Sequence, residues 1–184
     1  TRSGLVYDVF EVENMSKDRR NAIMDARNPC NSDEINIAGR VVRMNFKNIS
    51  KSARNISLGK QKAYHNYFIG NDTAKWAKNA GLFGEVKIEN LYEGIDVRYY
   101  FEDDAVRYDF IVQAGADPDR IEMHFEGQEA IKITEDGGLI INTGLKPIEL
   151  SDLYAYQETS SGKLQIHCGF NKITENAVNF NIEN

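Results

Sequence analysis

The sequence predicts an all-β fold: an antiparallel β-sandwich of about a dozen strands with one or two short helices. Three observations carry that expectation. Period-two alternation of apolar and polar residues recurs from one end to the other. Turn signals recur every ~8–12 residues, the rhythm of a sandwich or barrel. No strand–helix–strand alternation occurs, which argues against a parallel nucleotide-binding sheet. Nine Tyr and nine Phe, with many Val and Ile, suit pleated, half-buried surfaces.

The elements follow in order. Residues 4–12 place Leu5, Tyr7 and Val9 on one face and Val6, Phe10 and Val12 on the other. Residues 40–47 put Val42, Met44 and Phe46 inward, with Arg43, Asn45 and Lys47 outward. Further runs are 64–69, 84–91, 95–102, 105–113, 120–126, 129–134, 138–143, 153–158, 163–170 and 177–182. A two-residue turn at Asp103-Asp104 would set facing residues whose numbers sum to 207, so Arg98 faces Asp109, Tyr99 faces Tyr108 and Tyr100 faces Arg107. Opposite charges and paired aromatics then meet across the ladder, a structural ion pair at Arg98 and Asp109 among them.

Helix signals are few. Asn71-Asp72-Thr73 can cap a short helix through Trp76 and Ala80, ended by Gly81. Residues 16–27 offer a weaker second one, capped by Ser16. Residues 28–38 and 48–62 are rich in Asn, Ser and Lys and read as loops. The chain is read as a single sandwich-type domain over residues 1–184, with a subdivision conceivable near 60.

Charge is uneven. Residues 1–62 carry 12 Lys/Arg against 7 Asp/Glu, a balance of +5, and the remainder carries 10 against 21, a balance of −11. A chain of net charge −6 is poorly suited to follow a phosphate backbone, so no nucleic-acid partner is expected. No apolar run approaches the ~18–20 residues that span a bilayer, and no membrane insertion is expected.

The residues argue against most chemistry. Only His65, His124 and His167 could serve as imidazole bases, and no nucleophile elbow accompanies them. Clustered Cys/His of zinc spacing is lacking. Asp103-Asp104 and Asp117-Pro118-Asp119 are carboxylate-dense turns, but turn Asp has its own hydrogen-bonding reasons. No metal, cofactor or catalytic residue is therefore assigned. Asp96 and Asp109 are the acids a glycosidase-like enzyme would most readily use, and a cross-strand ion pair is the favoured alternative. Exposed Tyr and Trp could instead stack on a glycan. Cys30 and Cys168, 138 positions apart, are a candidate disulfide, although two separate thiols are preferred. Asn-x-Ser/Thr triplets stand at Asn14, Asn48, Asn55 and Asn71.

From residue 64 onward an ordered series of strings accumulates: Asn66-Tyr67-Phe68-Ile69-Gly70-Asn71-Asp72, Lys75-Trp76, and Glu89-Asn90-Leu91-Tyr92-Glu93-Gly94-Ile95-Asp96. Tyr108-Asp109-Phe110-Ile111-Val112, Gly115-Ala116-Asp117-Pro118, Phe125-Glu126-Gly127 and Ala155-Tyr156-Gln157 follow. Together they resemble a β-rich domain near the N-terminus of large secreted proteins, notably of Bacteroidetes. Such proteins continue into SBBP-type repeats, PKD or immunoglobulin-like modules and a gliding-motility or type IX secretion sorting segment. The match is strong over about 95 residues of this sequence. Departures are a missing Glu-Asn-x-Gly-Gln-like stretch, a missing Pro-Leu-Val-Ile-Asp-Pro-like ending, and Leu153-Tyr154 where Pro is common. They suggest a fragment of a longer chain with an open sheet edge.

The resemblance implies export to the bacterial outer surface and no enzymatic activity. The expectation is a non-catalytic structural or protein-interaction module, adhesin-like, of a secreted or cell-surface protein. Its partners would be other domains of that protein, another secreted protein or a glycan. A carbohydrate-binding domain is the alternative, and a glycosidase the third reading. The resemblance also makes Asp72-Thr73-Ala74 a candidate O-glycosylation sequence at Thr73, competing with the helix-cap role, so a glycoprotein is expected.

Overall fold

The computed structural model describes residues 4–12, 37–103, 105–151 and 153–183. The fold is all-β and built of antiparallel sheets; the described residues form fourteen strands and two short 3₁₀ turns. The chain divides into two compact units, one made of residues 3–47 and 121–184 and the other of Asn48–Arg120. Residue 60 falls inside a strand of the second. The candidate helix at 16–27 lies outside the described residues.

In the first unit, β1 (Gly4–Val12) pairs with β2 (Ile37–Phe46). β2 pairs with β7 (Met123–Glu126), which pairs with β14 (Ala177–Ile182), itself joined to β13 (Cys168–Thr174). The five-stranded order is therefore β1-β2-β7-β14-β13. Its inner face follows from alternation: Val42, Met44 and Phe46 are buried, and register places Met44 beside Phe125 and Phe46 beside Met123. Phe170 stacks on Phe180 on the same face, with centroids 5.1 Å apart. Burial there pushes the Tyr7 phenol up to about 12.

A second sheet holds β8 (Ala130–Ile133), β9 (Leu139–Asn142) and β10 (Ile148–Leu150) in the order β10-β9-β8. Ile131, Leu139 and Ile141 are its buried residues. The two sheets meet where the Phe170 N–H donates to the Gly137 carbonyl at 2.7 Å. Gly137 has φ +83°, and a Cβ there would lie 3.0 Å from the Gly169 Cα, so two glycines permit the approach. β11 (Ala155–Thr159) and β12 (Gly162–Ile166) form a separate, exposed hairpin. The expected run 163–170 is thus two strands in two sheets, divided at His167, and β10 had no counterpart in the alternation pattern. Three residues are too few to establish a period.

The second unit is a four-stranded meander: β3 (Arg54–Tyr67), β4 (Ala77–Tyr92), β5 (Ile95–Glu102) and β6 (Ala105–Val112). Two expectations are corrected here. Residues 54–62, read as loop, belong to β3, whose residues are almost all exposed. A strand solvated on both faces need not alternate, so its composition resembles a loop. The helix expected over 71–80 is one 3₁₀ turn, Thr73–Lys75, after which the chain becomes β4. The Asp72 cap does form, the Ala74 N–H donating to Oδ1 at 3.1 Å. Pairing with β3 claims the following residues, Tyr67 opposite Ala77 and His65 opposite Ala80.

The two units are joined in a particular way. β2 and β7 are antiparallel neighbours, Phe46 pairs with Met123, and the Lys47 N–H donates to the Glu122 carbonyl at 3.4 Å. In chain order the meander is therefore an insertion: the chain leaves one sheet after Lys47 and re-enters the same sheet on the neighbouring strand.

Candidate functional site

The register of the meander sorts its side chains onto two faces. Asn55, Ile88, Val97 and Phe110 form one cross-strand row, and Ser57, Val86, Tyr99 and Tyr108 the next on the same face. Between them lies Ile56, Lys87, Arg98, Asp109, followed by Leu58, Glu85, Tyr100, Arg107 on the opposite face. One face is apolar and the other carries a ladder of charges. The pairing of β5 with β6 has the facing sum of 207, with Asp103 at φ 50° in the turn.

On the charged face, Arg98 Nε and Nη2 each lie 2.9 Å from Asp109 Oδ2, and Tyr100 donates its hydroxyl to Asp109 Oδ1 at 3.2 Å. The guanidinium sits 4.6 Å from the Tyr100 ring centroid and 3.9 Å from Glu85. The hydrogen bond to Asp109 raises the Arg98 pKa. Asp96 is bound by Lys87 Nζ at 2.8 Å and by the Asn90 N–H at 2.8 Å. Partial burial pushes its carboxyl upward, but the hydrogen bonds from Lys87 and Asn90 outweigh that and hold it below the usual range. The same contact raises Lys87. Arg54 and Glu89 close the row at 2.7 Å. Asp96 and Asp109 thus each bind a cation on the charged face of the sheet.

A pH window follows. The depressed Asp96 pKa contributes stability present above its unfolded value of about 4 and lost as pH falls through the folded value. The raised Lys87 pKa contributes stability complete below about 10.4 and lost as pH rises through its folded value. Asp96→Asn should therefore cost about 1 kcal/mol near neutrality. The offset between the melting curves of the two proteins should be largest at pH 7 and narrow toward pH 3 and toward pH 11; an offset independent of pH would refute the coupling.

The apolar face is buried at one end, by Ile88, Ile95 and Val97, and open at the other. Phe101 is 74% exposed and Val106, its cross-strand partner, 52%. A second display lies at the far end of the β3–β4 ribbon. Phe68 and Trp76 meet edge to face at 5.1 Å, Trp76 Nε1 donates to the Gly70 carbonyl at 3.1 Å, and Ile69 is 76% exposed. In the β11–β12 hairpin region, Tyr154 and Tyr156 lie 5.6 Å apart, with Lys163 Nζ 3.9 Å from the Tyr156 centroid.

The other candidates are dispersed. Thr73 is exposed at the start of its 3₁₀ turn. Cys168 is a half-buried free thiol raised by burial, and Cys30 lies outside the described residues. His65 neighbours Tyr67, His124 neighbours Glu122, and His167 stands exposed between β12 and β13. Among the described residues no group of three or more His, Cys, Asp or Glu is disposed to hold a metal. The exposed apex at Phe68 and Ile69 was hidden in the sequence because a short apolar pair is usually core.

This is the architecture of an all-β protein with several antiparallel sheets, an inserted meander whose ionisable side chains pair across the ladder, and aromatic residues displayed at its ends. The chain belongs to the family described as Domain of unknown function (DUF7948), whose model matches residues 1–184. No curated protein and no solved structure matches it.

Proposed function

We propose that the chain is a non-catalytic structural or protein-interaction module of a secreted or cell-surface bacterial protein. In this reading the five-stranded sheet is the frame and the meander presents the binding surface. The observation that carries it is the open end of the meander's apolar face, where Phe101 and its cross-strand partner Val106 are both exposed. Large apolar side chains grouped on an exposed surface favour protein contact. The sequence resemblance supports export in a Bacteroidetes-type surface protein with SBBP-type repeats and type IX sorting, and its neighbouring domains are the proposed partners. Thr73, exposed on the ribbon, is the proposed glycan acceptor.

A photo-crosslinking residue placed at Phe101, displayed on the native host, should capture a protein. The same residue at Lys132, exposed on β8, should not. Equal capture at both positions would remove the assignment. Carbohydrate binding is the second reading, favoured by the paired Tyr154 and Tyr156 rings; a polysaccharide bound at that hairpin with no protein captured at Phe101 would put it first.

A further inference from the structure

The distal β3–β4 ribbon has features that protein contact by the meander face leaves unused. Its connecting segment, residues 68–76, opens with Phe68 and Ile69, both more than half exposed. Trp76 closes the segment against Phe68, and Tyr67 and Tyr64 precede it on β3. Trp76 has its indole N–H satisfied within the apex by the Gly70 carbonyl. Its ring lies against Phe68, so the apex is shaped by its own contacts. The segment from Leu58 to Gly84 contains four lysines and one aspartate, a balance of +3 in a chain of net charge −6. Asp72, the single acid, caps the 3₁₀ turn and lies 3.6 Å from Lys75.

We propose that this apex is an interfacial finger that docks on the surface of an anionic lipid bilayer. Phe68 and Ile69 enter the boundary between headgroups and acyl chains, a zone ~5–10 Å deep. Trp76 and the tyrosines take the amphipathic positions that such rings favour at membrane interfaces. Lys75 and Lys78 flank the apex and meet lipid phosphates. Lys60 and Lys62 lie roughly 20–26 Å back along β3 at about 3.3 Å per residue. They reach headgroups when the ribbon leans obliquely and otherwise steer its approach. A glycan surface would use the flat rings and leave Phe68 and Ile69 without a purpose; a bilayer uses all of them. None of this requires a spanning segment, and among the described residues no helix is long and apolar enough to cross a membrane.

The inference goes beyond the module reading and does not depend on it, and it applies to the chain without a glycan on Thr73, which lies within the same segment. Trp76 is the chain's single tryptophan, so its emission reports the apex directly. The intact chain is titrated with vesicles of phosphatidylcholine alone and of phosphatidylcholine with about one third phosphatidylglycerol. Expected are a blue shift and co-sedimentation with the anionic vesicles, and quenching of Trp76 by lipids brominated near the headgroup. Binding should weaken about fivefold for each of Lys75→Gln and Lys78→Gln. It should fall at least tenfold for Phe68→Ser with Ile69→Ser. Failure to bind anionic vesicles, or equal binding by the serine variant, would overturn the proposal. If that variant misfolds, lack of brominated-lipid quenching in the unaltered chain overturns it instead. Vesicle binding lost while protein capture at Phe101 persists removes this inference alone, and the converse removes the module reading alone.

Discussion

Phe125→Ala should destabilise the protein by about 3–5 kcal/mol, whereas Phe101→Ala should change stability by less than about 0.5 kcal/mol. The side chains are chemically identical and both lie on strands, so only burial separates them. Phe125 is 1% exposed on the inner face of the five-stranded sheet, beside Met44 on β2. Truncation there removes the transfer free energy of a buried ring and leaves a cavity that β2 and β14 cannot both collapse to fill. Phe101 is 74% exposed, so truncation costs little in the isolated chain. Chemical denaturation of both variants checks the pair. Equal losses would mean that Phe101 is covered in solution.

The second large effect concerns connectivity. Replacing Asn48–Arg120 by a three-residue Asn-Gly-Gly link should leave the five-stranded sheet folded. The ends of the excised segment are held together by the sheet itself, through the Phe46–Met123 pair and the bond from Lys47 N–H to the Glu122 carbonyl. Ile121, buried at 1%, stays in place and completes a four-residue hairpin loop, a common length for antiparallel neighbours. Shortening the loop from 73 residues also reduces closure entropy, by about 2–3 kcal/mol if the segment is treated as flexible chain. Retained cooperative melting with a β-type far-ultraviolet spectrum is the expected result. A non-cooperative, expanded product would show that the meander is needed for the frame to fold.

Much of the local structure could be read beforehand, and the reasons differ by element. The β5–β6 hairpin was legible to the residue because three kinds of preference agreed: a turn at Asp103-Asp104, opposed charges at Arg98 and Asp109, and paired rings at Tyr99 and Tyr108. The inward set Val42, Met44 and Phe46 was legible because one face of β2 is buried and the other solvated. Residues 54–62 of β3 were not, since a strand wet on both sides carries Asn, Ser and Lys at positions that alternation would make apolar, whereas its end fell within the expected run 64–69. Its only pairing among the described residues is with β4, and Arg54, Lys60, Lys62 and the register shift between Lys60 and Tyr64 blunt its outer edge. The helix expected from the Asp72 cap stopped after one turn because β3 offered residues 77–80 a ladder.

The candidate surfaces divide in the same way. Arg98 and Asp109 were singled out from local patterns, Thr73 through the family resemblance and Trp76 as one of the aromatics, whereas the exposed pair Phe68 and Ile69 was not. Its exposure depends on how far the β3–β4 ribbon extends, and no local window records that.

Residue alternation by itself determined which side of a strand faces inward, and short-range turn chemistry determined which neighbours pair across a tight hairpin. Only the tertiary structure decided that β2 takes as its partner β7, and that the run 163–170 serves two sheets. The physical reason is that ladders are made by backbone amides and carbonyls, which are nearly the same at every residue. Side chains select a face, while the choice of a distant partner is left to the packing of the whole chain.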